Sequence, residues 1–264
     1  METNALVGVW ANHYDEEGFE KWQFATGYAV APDRILTVRH VLNPRWSEIH
    51  VAAMHLKEPL TKAIVKWPAI EKGQGYQDAD DLDAILLEWQ FPPQFPQTRP
   101  RLKRFLPRDA VKWMSNCFPD AMGRERDPSK GPPDYFDAFG HFNPPREGVR
   151  VFPINCEQKG LPPRAWRGAS GGPLCEQSGT ASLVGIIKAD HLRKLEGVPD
   201  SALERLMAVP MWENVAAEGI DDALGGISSE EQQQQDFVWR KRRNTLIQFE
   251  LSQIADREVI RHLA

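Results

Sequence analysis

The sequence has no long apolar run. None of its stretches approaches the roughly 20 apolar residues that a helix needs to cross a bilayer, so no helical membrane span is expected. It also opens without the marks of a secretory leader. "METNALVGVWANHYDEEGFE", residues 1–20, has no basic start and no apolar stretch of leader length. Cysteine is scarce: Cys117, Cys156 and Cys175 are odd in number, far apart and fit no metal-ligand spacing. Reduced thiols are therefore expected, with no metal site. Positive charge is not in excess, since 32 Lys and Arg against 37 Asp and Glu leave a net charge of -5. That balance argues against a general nucleic-acid binder. These absences together predict a soluble cytoplasmic protein. With 41% hydrophobic residues in 264, there is material for one large domain or two modest ones.

What is present reads first as β-structure. "LVGVWA" (6–11), "FATGYAVAP" (24–32), "RILTVRHVL" (34–42), "EIHVAAM" (48–54) and "DAILLEW" (83–89) are short strand-like runs bounded by Gly, Pro, Asn and Asp. A second series follows: "AVKWMSNCF" (110–118), "YFDAFGHF" (135–142), "GVRVFPINCE" (148–157), "SLVGIIKAD" (182–190) and "RLMAVPMW" (205–212). Between them lies "QFPPQFPQTRPRLKRFLPR" (90–108), whose five prolines exclude a helix or a central strand. Two strand series split by an extended connector predict two small antiparallel barrels or sandwiches. From Glu213 the chain turns polar and helix-prone. "SSEEQQQQDF" (228–237) is a low-complexity spacer, and "WRKRR" (239–243) reads as a solvated basic helix face. Ile247, Leu251, Ile254, Ile260 and Leu263 recur at near-helical spacing and predict an amphipathic helix.

The chemistry starts from "WRGASGGPLCE" (166–176), where Ser170 sits among Gly168, Ala169, Gly171 and Gly172. A tight surface turn would use the same residues. So would a reactive hydroxyl on a strained loop, with backbone N–H groups turned towards an anion. Serine hydrolysis also needs a base for the hydroxyl proton and a carboxylate to orient that base. His40, after the run "ILTV", and Asp83, opening "DAILLE", are the matching residue types. Either alone reads as an ordinary surface or capping residue.

Their combination resembles the trypsin-like serine peptidases of the chymotrypsin fold. "GYAVAPDRILTVRHVL" (27–42) is similar to that family's block ending in its histidine. "DAILLE" is similar to its aspartate block, "GASGGPL" (168–174) to its nucleophile loop and "SLVGII" (182–187) to the strand that follows. The order is His, Asp, Ser, and the resemblance covers about residues 6–212. It implies an all-β fold of two antiparallel six-stranded β-barrels, about 6–95 and 105–212, followed by a helical tail, 213–264. It implies a serine endopeptidase acting on protein or peptide substrates, without a cofactor. In that reading His40 is the general base, Ser170 the nucleophile and Asp83 the orienting carboxylate, with Asp80 and Asp81 as competing carboxylates. The N–H groups of Gly168 and Ser170 would form the oxyanion hole.

The same resemblance puts Arg164, Lys188, Ala189 and Asp190 at the substrate pocket. Arg164 would then favour an acidic side chain before the scissile bond, unless it points to solvent. Two departures are visible. Ala169 stands where secreted members carry an aspartate, and Val41 where they carry a cysteine. Both point to the bacterial, intracellular branch, whose peptidase domains include parts of larger signalling or defence assemblies. The tail would dock a regulatory protein or a further domain, or else pack back on the second barrel. A silent binding module and a peptidase awaiting a partner, with residues 119–139 as its loop, are the competing readings.

Overall fold

A computed structural model of the chain describes residues 5–42, 45–53, 60–70, 82–95, 100–104, 106–118, 136–146, 148–157, 166, 168–177, 182–188, 206–216 and 219–224. Twelve strands are formed among them. The first six are β1 (Leu6–Tyr14), β2 (Glu20–Ala31), β3 (Arg34–Thr37), β4 (Trp46–Ala53), β5 (Thr61–Trp67) and β6 (Ile85–Glu88). They close into an antiparallel barrel in the order β1-β2-β3-β6-β5-β4. The other six are β7 (Val111–Cys117), β8 (Phe136–Phe142), β9 (Phe152–Cys156), β10 (Pro173–Glu176), β11 (Leu183–Lys188) and β12 (Leu206–Pro210). They close in the order β7-β8-β9-β12-β11-β10. The structure is thus two six-stranded antiparallel barrels.

Burial explains why such short apolar runs become strands. β3 and β11 are buried along their whole length, so they read as continuous apolar runs rather than alternating ones. Val, Ile and Leu suit a pleated surface that is covered on both faces. The first core centres on Leu6, Val9, Ile35, Leu36, Ile49, Val51, Ile85 and Leu87. The second centres on Trp113, Phe142, Phe152, Ile154, Leu174, Val184 and Ile187. Phe152 links Phe142 to Trp212, with ring centroids 4.8 and 5.6 Å away. Each such side chain contributes about 1.5–3 kcal/mol by leaving water.

Two strands fall outside the ten runs that the sequence marks. β5, "TKAIVKW", puts Ala63 and Trp67 inside but carries Lys62 and Lys66 on its open face. Those lysines pair with Glu48 and Glu88 of the neighbouring strands, at 2.6 and 3.0 Å. β10 is only four residues long and directly follows the Gly-rich loop. In the connector, the described residues join no barrel. Leu102 instead bridges to Leu183, with the N–H of Leu183 donating to Arg101 O and that of Lys103 to Leu183 O, both at 2.8 Å.

After β12 the chain forms two short helices, α1 (Met211–Ala216) and α2 (Ile220–Ala223). Ile220, Ala223 and Leu224 are buried with the residues of the first core. Arg34 Nε donates to the carbonyl of Ala223 at 2.7 Å. Contacts divide the chain after Leu224, into residues 1–224 and 225–264. The spacer, the basic cluster and the expected amphipathic helix lie outside the described residues, as do 119–135.

Candidate active site

The end of β3 and the start of β6 are brought together by the sheet itself. Thr37 pairs with Ile85, so residues just after β3 meet residues just before β6. The chain leaves β3 through buried Val38 into a single 3-10 turn, Arg39–Val41. His40 stands on that turn with its side chain 31% exposed, while the side chain of Asp83 is fully buried. Asp83 Oδ1 accepts the backbone N–H of His40 at 2.8 Å, and Oδ2 lies 2.7 Å from His40 Nδ1. An Nδ1–H donated to this carboxylate leaves Nε2 as an acceptor. Nε2 lies 3.2 Å from Ser170 Oγ. The three side chains therefore form one hydrogen-bonded row, with two members from the first barrel and one from the second. Asp80 and Asp81 lie outside the described residues.

Ser170 is held by both barrels. The Thr26 N–H of β2 donates to Ser170 O at 2.8 Å, and Thr26 Oγ1 donates to Gly168 O at 2.7 Å. The same Oγ1 accepts the N–H of Phe118 at 3.0 Å, and Thr37 Oγ1 donates to Thr26 O at 2.7 Å. From the second barrel, Gly171 N–H donates to Ile187 O at 2.7 Å, and Ile187 N–H donates to Gly172 O at 2.8 Å. This close approach explains two of the glycines. Gly168 and Gly171 both have φ of 85°, which a side chain disfavours. A Cβ on Gly171 would lie 1.9 Å from Thr26 O, and one on Gly168 2.5 Å from Phe118 O. Thr26 was not singled out in the sequence. Its only signal there is a hydroxyl inside an otherwise apolar run.

No family model and no curated protein matches the chain. Solved structures do. The crystal structure of the Rv3671c protease from M. tuberculosis in its active form is similar with a TM-score of 0.52 and 16% identity, covering 86% of this chain and 83% of that one. An inactive form of the same protein, a mutant, matches with a TM-score of 0.49 and 15% identity, covering 86% and 90%. The fold is chymotrypsin-like.

Within that chymotrypsin-like fold the electrostatics centre on Asp83. Burial pushes its carboxyl up. The His40 ring beside it, by charge and hydrogen bond, the Lys188 ammonium and the His40 N–H outweigh this and hold it below its usual value. Lys188 joins this electrostatic centre. Expected at the substrate pocket, it ends β11 with its ammonium 3.3 Å from Asp83 Oδ2. Its side chain is only 9% exposed. Arg164, Ala189 and Asp190 lie outside the described residues. Cys117 and Cys175 are buried free thiols, and Cys156 is half-buried.

Proposed function

We propose that this chain is a serine endopeptidase that cleaves peptide bonds in protein or peptide substrates. The observation that carries the proposal is the row Asp83–His40–Ser170, with spacings of 2.7 and 3.2 Å. Ser170 Oγ attacks the scissile carbonyl carbon while His40 Nε2 takes the hydroxyl proton. Asp83 holds the imidazole by Nδ1–H and offsets the charge that forms on it. The N–H groups of Gly168 and Ser170 receive the oxyanion. In support, the backbone is anchored on both sides of Ala169, where Thr26 holds the carbonyls of Gly168 and Ser170. The amine then leaves with the proton from His40. A water molecule, deprotonated by His40, hydrolyses the Ser170 ester and restores the free serine.

A fluorophosphonate probe tests this without knowledge of the substrate. The expected result is a single adduct on the peptide containing Ser170, absent from Ser170→Ala. Labelling of the wild-type chain no faster than that of Ser170→Ala would overturn the proposal.

A further inference from the structure

Lys188 occupies a place that its strand does not explain. The rest of β11, "LVGII", is apolar and buried. A lysine at the end of such a strand would ordinarily send its charged head to water. Here the ammonium turns to a carboxylate that is itself fully buried. Burying two charges is unfavourable unless each finds a close partner. The carboxylate is shared out among three donors. Oδ1 takes the His40 N–H, and Oδ2 faces both His40 Nδ1 and Lys188 Nζ.

Two cationic partners compete for one anion as soon as the imidazole takes a proton. An Asp–His pair alone stabilises the imidazolium with the full charge of the carboxylate. With Lys188 on the same oxygen, that charge is already part-balanced before His40 is protonated. We propose that Lys188 is a positioning residue of this site: it locks the Asp83 carboxylate and keeps His40 free to accept the serine proton at lower pH than an Asp–His pair alone would allow. The inference rests on the peptidase reading only for its catalytic consequence.

Among the described residues, Asp83 faces the imidazole from the segment before β6, and Lys188 reaches Asp83 from β11. β2, which packs on the 3-10 turn, carries Glu20 and Lys21 at its exposed N-terminal end and presents Thr26 to the nucleophile loop. Residues 168–172 of that loop carry no charge. Arg39 shares the turn with His40.

The test uses Lys188→Met and Lys188→Gln, which remove the charge, and Lys188→Arg, which keeps it. Two readouts are taken across pH: fluorophosphonate labelling of the Ser170 chain, and the His40 imidazole resonances by NMR in a Ser170→Ala background. The acid limb of labelling and the imidazole midpoint should both move up by about one pH unit in the Met and Gln variants. They should stay near wild type in the Arg variant. An unmoved midpoint in Met and Gln overturns the proposal. So does loss of fold in both, which would make Lys188 a structural ion-pair member only. A moved midpoint in a chain that never labels would uphold the electrostatic role and sink the peptidase reading.

Discussion

The two barrels share one strand order and use it differently. His40 lies on the connection between the third and fourth strands of the first barrel, and Ser170 on the same connection of the second. In the first barrel that connection is set from within. His40 follows β3 on a tight turn, and the pairing of β3 with β6 delivers Asp83 to it. In the second barrel the described end of that connection, residues 168–172, is held from both barrels. Its last turn is pinned by Thr26 of the first barrel and by Ile187 of β11. One strand order therefore places a base by local geometry and a nucleophile by its own barrel together with a neighbour. Changes at Asp83 should act on the base and on its Lys188 partner in β11, whereas changes at Thr26 or Gly171 should act on the nucleophile loop.

The largest expected effect is at Asp83. Asp83→Asn should lower kcat by up to about 10⁴-fold, because an amide favours the wrong imidazole tautomer. Lys188 would then face an amide instead of a carboxylate, so the melting temperature should also fall. The pH dependence follows from the lowered carboxyl of Asp83. Its contribution to stability is present above the unfolded value of about 3.9 and is lost as pH falls through the lower folded value. Thermal melts of wild type and Asp83→Asn should therefore converge in acid. A kcat unchanged in Asp83→Asn would break the comparison on the side of the first barrel.

Gly171→Ala attacks the other side. The new Cβ meets Thr26 O and Thr37 Oγ1, at 1.9 and 2.3 Å, on a residue whose φ already disfavours a side chain. A loss of about 2–3 kcal/mol is expected, with probe labelling slowed about 10²-fold if Ser170 moves by 1 Å. Truncation separates the tail in the same way. Ending the chain after Glu218 removes Ile220, Ala223 and Leu224 and takes the Ala223 carbonyl from Arg34. That should cost the first barrel about 2–4 kcal/mol. Ending it after Leu224 should leave the melting temperature unchanged, and a fall there would show that residues 225–264 stabilise the rest.

What could be read from the sequence follows the same division. Contiguous signals were legible: the buried runs around Ile35, Ile85 and Ile186, the break at the prolines, and the Gly-rich surroundings of Ser170. β5 was not, because Lys62 and Lys66 are explained only by Glu48 and Glu88 on neighbouring strands. β10 was hidden by its four-residue length beside the glycines. Thr26 and the pairing of Lys188 with Asp83 have no local signature for a deeper reason. Each residue acts through a partner more than one hundred residues away in sequence or on the other barrel, and no local pattern records such a pairing.

A milder change is Thr26→Val, which keeps the volume and removes one hydroxyl. The carbonyl of Gly168 and the N–H of Phe118 each lose that hydroxyl as a partner. The cost should be about 1–3 kcal/mol, with slower labelling of Ser170. Unchanged labelling would show that the second barrel holds its nucleophile without the first.

The smallest effect is read with cysteines, all three of which belong to the second barrel. Burial pushes the Cys175 thiol up to about 12, and the Cys117 thiol well above its usual value. At neutral pH neither holds appreciable thiolate, so alkylation must wait for the barrel to open. Native protein treated with iodoacetamide should react first at half-buried Cys156, and at the other two only slowly. Cys117 ends β7, directly before Phe118, whose N–H Thr26 holds. Cys175 sits in β10, paired with both β7 and β11. Thr26→Val should therefore speed alkylation of Cys117 more than that of Cys175, as mass spectrometry of the two peptides would show. Equal acceleration at both would mean that the second barrel opens as a whole. The hold of Thr26 would then be a share of global stability and not a local clamp on the nucleophile loop.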